Sequence, residues 1–321
     1  VFTAVHPVLY MEARVALTLR LLGGLTTDEI ARAYLVPEST VAQRIVRAKR
    51  TLREAQVPFA VPHGEELGER LASVLGVLYL IFNEGYSATA GDDLMRPALC
   101  EEALRLGRIV AELAPHEAEV HGLVALMEIQ ASRMRARIAA DGSPILLPDQ
   151  DRSRWDRLLI ERGFTALARA RKLHTTPGPY AMQAAIAACH AQAVTAADTD
   201  WHAIATLYDT LSELMPSPVV ELNRAVAVSM AEGPSAGLAL VDALVDVPAL
   251  AHYHLLPSVR GDLLAKLGRH AEAHAEFTRA AGMTRNVREQ AFLLGRAGDC
   301  LEHDTPHAPT GTVYSTHLTM P

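Results

Sequence analysis

Between residues 65 and 300, prolines and glycines cut the chain into pieces about one helix long. Pro115, the stretch from Thr175 to Pro179, Pro216 and Pro218, Gly233-Pro234, Pro248 and Gly268 all interrupt Ala- and Leu-rich runs. Proline removes a helical N–H and clashes with the preceding turn, so this punctuation sets where helices stop. Within the pieces the apolar spacing is helical: Leu67, Leu71, Val74, Leu75 and Leu78 share one face. The pattern predicts further helices over 94–113, 117–139, 153–172, 180–197, 200–214, 218–231, 234–245, 249–267, 270–281 and 286–298. Their connections are short, so consecutive helices should be antiparallel neighbours. Only 5% of residues are aromatic, too few for a sandwich or barrel. The expected fold class is all-α.

Gly268, Ala273, Phe277 and Ala280 have the spacing of the second half of a tetratricopeptide repeat. There glycine makes the inter-helix turn, alanines allow close approach and an aromatic ring fills the gap. A weaker echo starts at Gly233, 35 residues earlier, and Leu113-Ala114-Pro115 and Leu214-Met215-Pro216 stand 101 apart. Both fit a period of about 34. An irregular bundle remains the alternative for the middle section. The expected organisation is a basic module over 1–56, a linker at 57–64 containing Pro58, Pro62 and Gly64, a helical repeat domain over 65–300, and a flexible Thr-, Pro- and His-rich tail over 301–321.

The net charge of −7 argues against a nucleic-acid partner, but it conceals a split. Residues 14–55 hold eight basic and four acidic side chains, a balance of +4, which leaves −11 for the rest. Cys100, Cys189 and Cys300 lie far apart in helical contexts and read as buried free thiols. The longest apolar stretch, Val74 to Phe82, is far shorter than the roughly 18 residues of a membrane span. No signal peptide is evident, so a cytoplasmic protein with no membrane contact is expected.

Inside the basic module one helix runs from about Arg14 to Leu22 and stops at Gly23-Gly24. Thr26-Thr27-Asp28-Glu29 is a capping box, in which Thr26 caps the next helix while Glu29 reaches back. That helix covers Thr27 to about Tyr34. A turn through Leu35-Val36-Pro37 leads to a longer helix, Glu38 to about Glu54. On it Val41, Ile45, Ala48 and Leu52 share a face that must pack on Leu19, Ile30 and Ala31, whereas Thr40, Gln43, Arg44, Arg47 and Arg50 point to solvent. A short helix, a tight turn and an amphipathic helix with a polar free face form a helix-turn-helix, whose second helix can enter a major groove. Arginine and glutamine suit base edges, and Lys49 and Arg53 suit phosphates. The N–H groups at the start of the Thr27 helix offer a further phosphate site. The candidate DNA-binding residues are Thr27, Ser39, Thr40, Gln43, Arg44, Arg47, Lys49 and Arg50.

The runs Glu12–Arg20, Gly24–Ala31, Thr40–Arg44 and Arg47–Arg53 together resemble region 4 of the extracytoplasmic-function (ECF) sigma factors of bacterial RNA polymerase. Pro37 departs from the capping Ser or Thr of many members. The resemblance continues through Leu80–Tyr86, Asp149–Asp156, Gly178-Pro179-Tyr180, Gln183–Ala191 and Ser217–Ala225, which are similar to the tetratricopeptide-like C-terminal extension of one subgroup. It implies that region 4 binds the −35 promoter element and the flap of the polymerase β subunit. The charge split leads to the expectation that the acidic extension regulates region 4 through intramolecular or protein–protein contacts, its acidic surface covering Arg44 and Arg47 or recruiting a protein. Region 2 of such factors is not in this sequence, and the chain begins at Val1. The expectation is therefore a sigma factor without its N-terminal half.

Other groups read as structural. Asp141, Asp149, Asp151 and Asp156 could serve a hydrolase or a cation, but capping and pairing with Arg152, Arg154 and Arg157 fit them better. Gly85, after Asn83-Glu84, suits a left-handed helix C-terminus, with Glu84 fixing the next turn or forming a contact point with the DNA-binding domains. His270 and His274 have a legal metal spacing but no third ligand. No cofactor motif and no catalytic nucleophile are evident. The main alternative is an interaction scaffold in which the helix-turn-helix is structural.

Overall fold

The computed structural model describes residues 3–34, 36–57, 65–173 and 176–303, with the backbone alone at 32, 33, 65–67, 69 and 303. The expected linker therefore lies, but for Val57, outside the described residues, as does the tail from 304. The chain is all-α. Its helices are α1 (Met11–Leu21), α2 (Thr27–Tyr34), α3 (Glu38–Glu54), α4 (Glu65–Tyr86), α5 (Pro97–Leu113), α6 (Ala118–Ala131), α7 (Arg157–Leu173), α8 (Pro179–Gln192), α9 (Trp201–Leu214), α10 (Pro218–Glu232), α11 (Pro234–Asp242), α12 (Leu255–Lys266), α13 (His270–Met283) and α14 (Val287–His303). The last includes Leu301 to His303, where a flexible tail was expected. The helix expected over 117–139 ends at Ala131. There the Ser132 hydroxyl donates to the Ile129 carbonyl, and the chain leaves the axis so that the Asp156 N–H can reach the Ser132 carbonyl at 2.9 Å.

Prolines open α5, α8, α10, α11 and a short 3-10 turn at Pro248–Leu250, where the missing N–H costs nothing. Gly233 (φ 105°) and Gly268 (φ 74°) take the left-handed backbone that reverses the chain between helices. From α4 onward, consecutive helices pack against one another. Among the described residues one apolar cluster joins α1 through α8, a second joins α10 through α14, and a small one around Tyr208 lies between them. Leu71, Val74, Leu75 and Leu78 are buried as their spacing predicts, and so are Ala273, Phe277 and Ala280.

The two ends of the array meet. Ala90–Gly91 (β1), between α4 and α5, pairs in parallel with Arg285–Asn286 (β2), between α13 and α14. Asn286 is buried, and its Nδ2 donates to the carbonyls of Ala88 (3.2 Å) and Asp93 (2.9 Å). Its Oδ1 accepts the first-turn N–H groups of Arg288 and Glu289. The helix-turn-helix docks on this closed array through α1. Arg14 Nη1 donates to Ser73 Oγ at 3.0 Å, Ser73 Oγ donates to the Val5 carbonyl at 2.8 Å, and Arg105 Nη2 donates to the Leu22 carbonyl at 2.7 Å.

His190 on α8 is buried against Trp201, at 5.1 Å between ring centroids. Burial, and then the charges of Arg133 and Arg152, push its pKa down to about 3. In the unfolded chain it titrates near 6.5. The native state thus refuses a proton that the unfolded state takes, so this contribution to stability is complete above pH 6.5 and is lost as pH falls toward 3. Urea unfolding should show wild type losing about 2 kcal/mol more than His190→Gln between pH 7 and pH 5. Equal losses would mean that His190 is not held neutral.

Candidate nucleic-acid interface

The turn into α2 is fixed by the predicted capping box: the Thr26 N–H donates to Glu29 Oε2 at 2.7 Å, and the Glu29 N–H to Thr26 Oγ1 at 3.1 Å. α3 packs on α1 and α2 through Val41, Ile45 and Ala48, against Leu19, Ile30 and Ala31, all buried. Pro37 occupies the N-cap of α3 with an extended backbone and offers no side-chain cap.

Burial of that face turns the opposite one outward. Ser39, Gln43, Arg47 and Arg50 are exposed and recur at i, i+4, i+8 and i+11, one continuous stripe along α3. Lys49 and Arg53 are exposed on its flank. Arg50 lies 3.5 Å from Glu54, an exposed pair of the kind that contributes little. Arg47, Lys49 and Arg53 have no carboxylate partner among the described residues. Among the described residues no acidic surface of the array covers this stripe. Thr40 and Arg44 sit half-buried on the other flank, and Arg44 lines a cavity between α3 and the array. Thr27 is half-buried at the start of α2. The structure thus brings four of the eight candidate residues onto one face, with Lys49 beside it, and sets Thr27, Thr40 and Arg44 apart.

Two exposed residues of that stripe, Ala42 and Val46, are absent from the polar candidates. Val46 is 66% exposed, an apolar side chain held in water in the middle of the polar face. Such a group is the natural contact for a thymine methyl. The helical stripe would have found both had polarity not been the filter.

The remaining candidates resolve into scaffolding. Asp151 accepts from the Ser153 N–H (2.9 Å), Asp156 from the Leu158 N–H (3.0 Å), and Asp141 from the Ser143 N–H (2.9 Å), each holding its own turn. Burial holds Asp149 above the usual carboxylate range, with Arg296 opposing this. Among the described residues no group of three His, Cys, Asp or Glu side chains could hold a metal. His274 Nδ1 lies 2.9 Å from the Ala297 carbonyl. Cys100 and Cys300 are buried free thiols, and Cys189 is half-buried. Gly85 is not the left-handed terminus its position suggests. It lies inside α4, and a Cβ there would stand 2.7 Å from the Cys100 amide, so close packing of α4 on α5 is what requires glycine. Glu84 does fix the next turn: it accepts from Thr89 Oγ1 at 3.0 Å and pairs with Arg96.

Residues 12–52, nearly the whole of α1 through α3, match the family model "Sigma-70, region 4". Residues 70–171, from α4 into α7, match a family of unknown function, DUF6596. The chain is 46% identical over 292 residues to the uncharacterized protein R00370 of Rhizobium meliloti (strain 1021), an overlap of 91% of this chain and 68% of that protein. The chain belongs to the same family as R00370. No solved structure matches it. In this family member the helix-turn-helix is of the sigma-factor type, a non-enzymatic transcription-factor domain, and it is docked on an all-helical array. No helix among the described residues is long and apolar enough to cross a membrane.

Proposed function

We propose that this chain is an ECF-type RNA polymerase sigma factor whose region 4 module, 1–56, reads the −35 promoter element and touches the polymerase β flap. Its tetratricopeptide-like extension, 65–300, regulates that module in the cytoplasm through the docked contact or through a protein partner. Ser39, Gln43 and Arg47 contact base edges, while Lys49 and Arg50 bind phosphates. Thr27 binds a phosphate at the start of α2. Thr40 and Arg44 stand at the edge of the contact.

The observation that carries this reading is the uncovered stripe on α3, whose Arg47 has no carboxylate partner among the described residues. It also weighs against a merely structural helix-turn-helix, which would leave Val46 in water for no return. The test is titration of the full chain against a −35-containing duplex at several salt concentrations. Arg47→Ala/Arg50→Ala should weaken binding about tenfold or more and lower the salt slope by about one, the phosphate contact of Arg50. An unchanged affinity and slope would overturn the named contacts.

A further inference from the structure

A cavity of about 750 Å³ lies where the helix-turn-helix meets the closing edge of the array. That is the size of a site for a drug-sized organic molecule. Val15 of α1, Ile30 and Tyr34 of α2, and Val41 of α3 form one wall. Leu80 and Tyr86 of α4 also line it, as do Tyr253, Leu255 and Met283 from the far end of the chain. The walls are therefore mostly apolar and come from segments that only the ring closure brings together.

The charges in this cavity are unbalanced. Its carboxylates Glu84 and Glu289 are already engaged, by Arg96 and by His254 with Thr284, which leaves Glu12 at the edge. Arg44, Arg137 and Arg285 also line it, and none has a carboxylate partner among the described residues. Arg137 is the deepest of these. Its guanidinium lies over the Tyr86 ring at 3.6 Å and donates to the Tyr86 carbonyl. Arg133 is buried within 5.9 Å of the rings of both Tyr86 and Trp155, and Arg152 lies over the Trp155 ring at 4.8 Å. Aromatic faces offset part of the cost of these cations, and Asp198 acts on Arg152, but Arg137 has no carboxylate partner among the described residues. The Tyr34 hydroxyl, on the same walls, is buried with no hydrogen-bond partner. A buried polar group without a partner is costly unless something fills the space beside it.

We infer that this cavity binds a small organic anion with an apolar body, its acid group on Arg137 and its apolar part along α1, α2 and the Tyr253–Leu255 edge, within reach of the Tyr34 hydroxyl. Such a molecule touches the helix-turn-helix and the C-terminal helices at once. The inference is independent of the DNA reading, and its test contains no DNA.

The full chain is titrated with two fluorescent probes that share one ring skeleton, anionic 8-anilinonaphthalene-1-sulfonate and neutral N-phenyl-1-naphthylamine. The sulfonate should bind saturably at a single site and about tenfold more tightly than the neutral probe, the margin of one charge-assisted hydrogen bond. Arg137→Met should abolish that preference while leaving the neutral probe's affinity unchanged. Ser87→Phe, which fills the cavity from its loop without altering charge, should weaken both probes. Equal affinities of the two probes for the unaltered chain would overturn the inference, and that comparison needs no variant to fold. A preference that survives Arg137→Met in a folded variant, or tight sulfonate binding that survives Ser87→Phe, would overturn it as well.

Discussion

Phe277→Ala should cost about 3–5 kcal/mol, the usual penalty for deleting a fully buried aromatic ring. Phe277 is wholly inaccessible to solvent at the centre of the cluster formed by α10 through α14. A Cβ on Gly261 would sit 3.1 Å from its ring, and the Arg296 guanidinium stacks on the ring at 4.5 Å. Arg296 in turn donates to the buried Asp262 at 2.8 Å, so the substitution also loosens a buried ion pair. The clusters of the array are separate, and damage should therefore be local. Hydrogen exchange should show lost protection over α12 to α14 and little change over α1 to α3. Uniform loss across the chain would show that the array unfolds as one unit.

Asn286→Ala should cost about 2–4 kcal/mol, from a lost helix cap and from the loss of its amide donor to the buried Ala88 carbonyl and the part-buried Asp93 carbonyl. Its larger consequence is geometric. The Nδ2 bonds to Ala88 and Asp93 span nearly two hundred residues and hold α4–α5 against α13–α14. Arg288, which reaches the Asp141 carbonyl at 3.0 Å, is then a remaining side-chain clasp at this seam. Denaturant unfolding with hydrogen exchange at 87–96 and 283–289 checks this, and both segments should open together. If they stay protected while global stability falls, the asparagine caps α14 but does not close the ring.

How much of this was legible in the sequence depended on the range of the interaction responsible. Local effects were readable. The capping box at Thr26 and Glu29 stands as its residues require, α2 and α3 start and end where proline, cap and apolar period put them, and Phe277 and Ala273 are buried as their spacing implies. Effects that need the third dimension were not. Nothing near Asn286 in the chain indicates that its partners are Ala88 and Asp93. Gly85 looks like a terminus until α5 is seen pressing against it. Arg44 and Arg47 are equivalent by composition, yet α3 turns Arg47 to solvent and Arg44 to the cavity. Val46 was hidden because an apolar residue on a polar face looks like noise until its exposure is known.

The proposed function requires that the outer face of α3 read sequence rather than merely carry charge. It is tested most directly by selecting tight-binding duplexes from a randomised pool with the full chain and repeating the selection with Gln43→Ala. Gln43 is exposed on the stripe and carries no charge, so its loss leaves phosphate attraction intact. An enriched motif is expected from the unaltered chain, with relaxed preference at one or two positions in the variant, worth about 1–3 kcal/mol of discrimination. A pool that is not enriched, or identical motifs from both proteins, would contradict it.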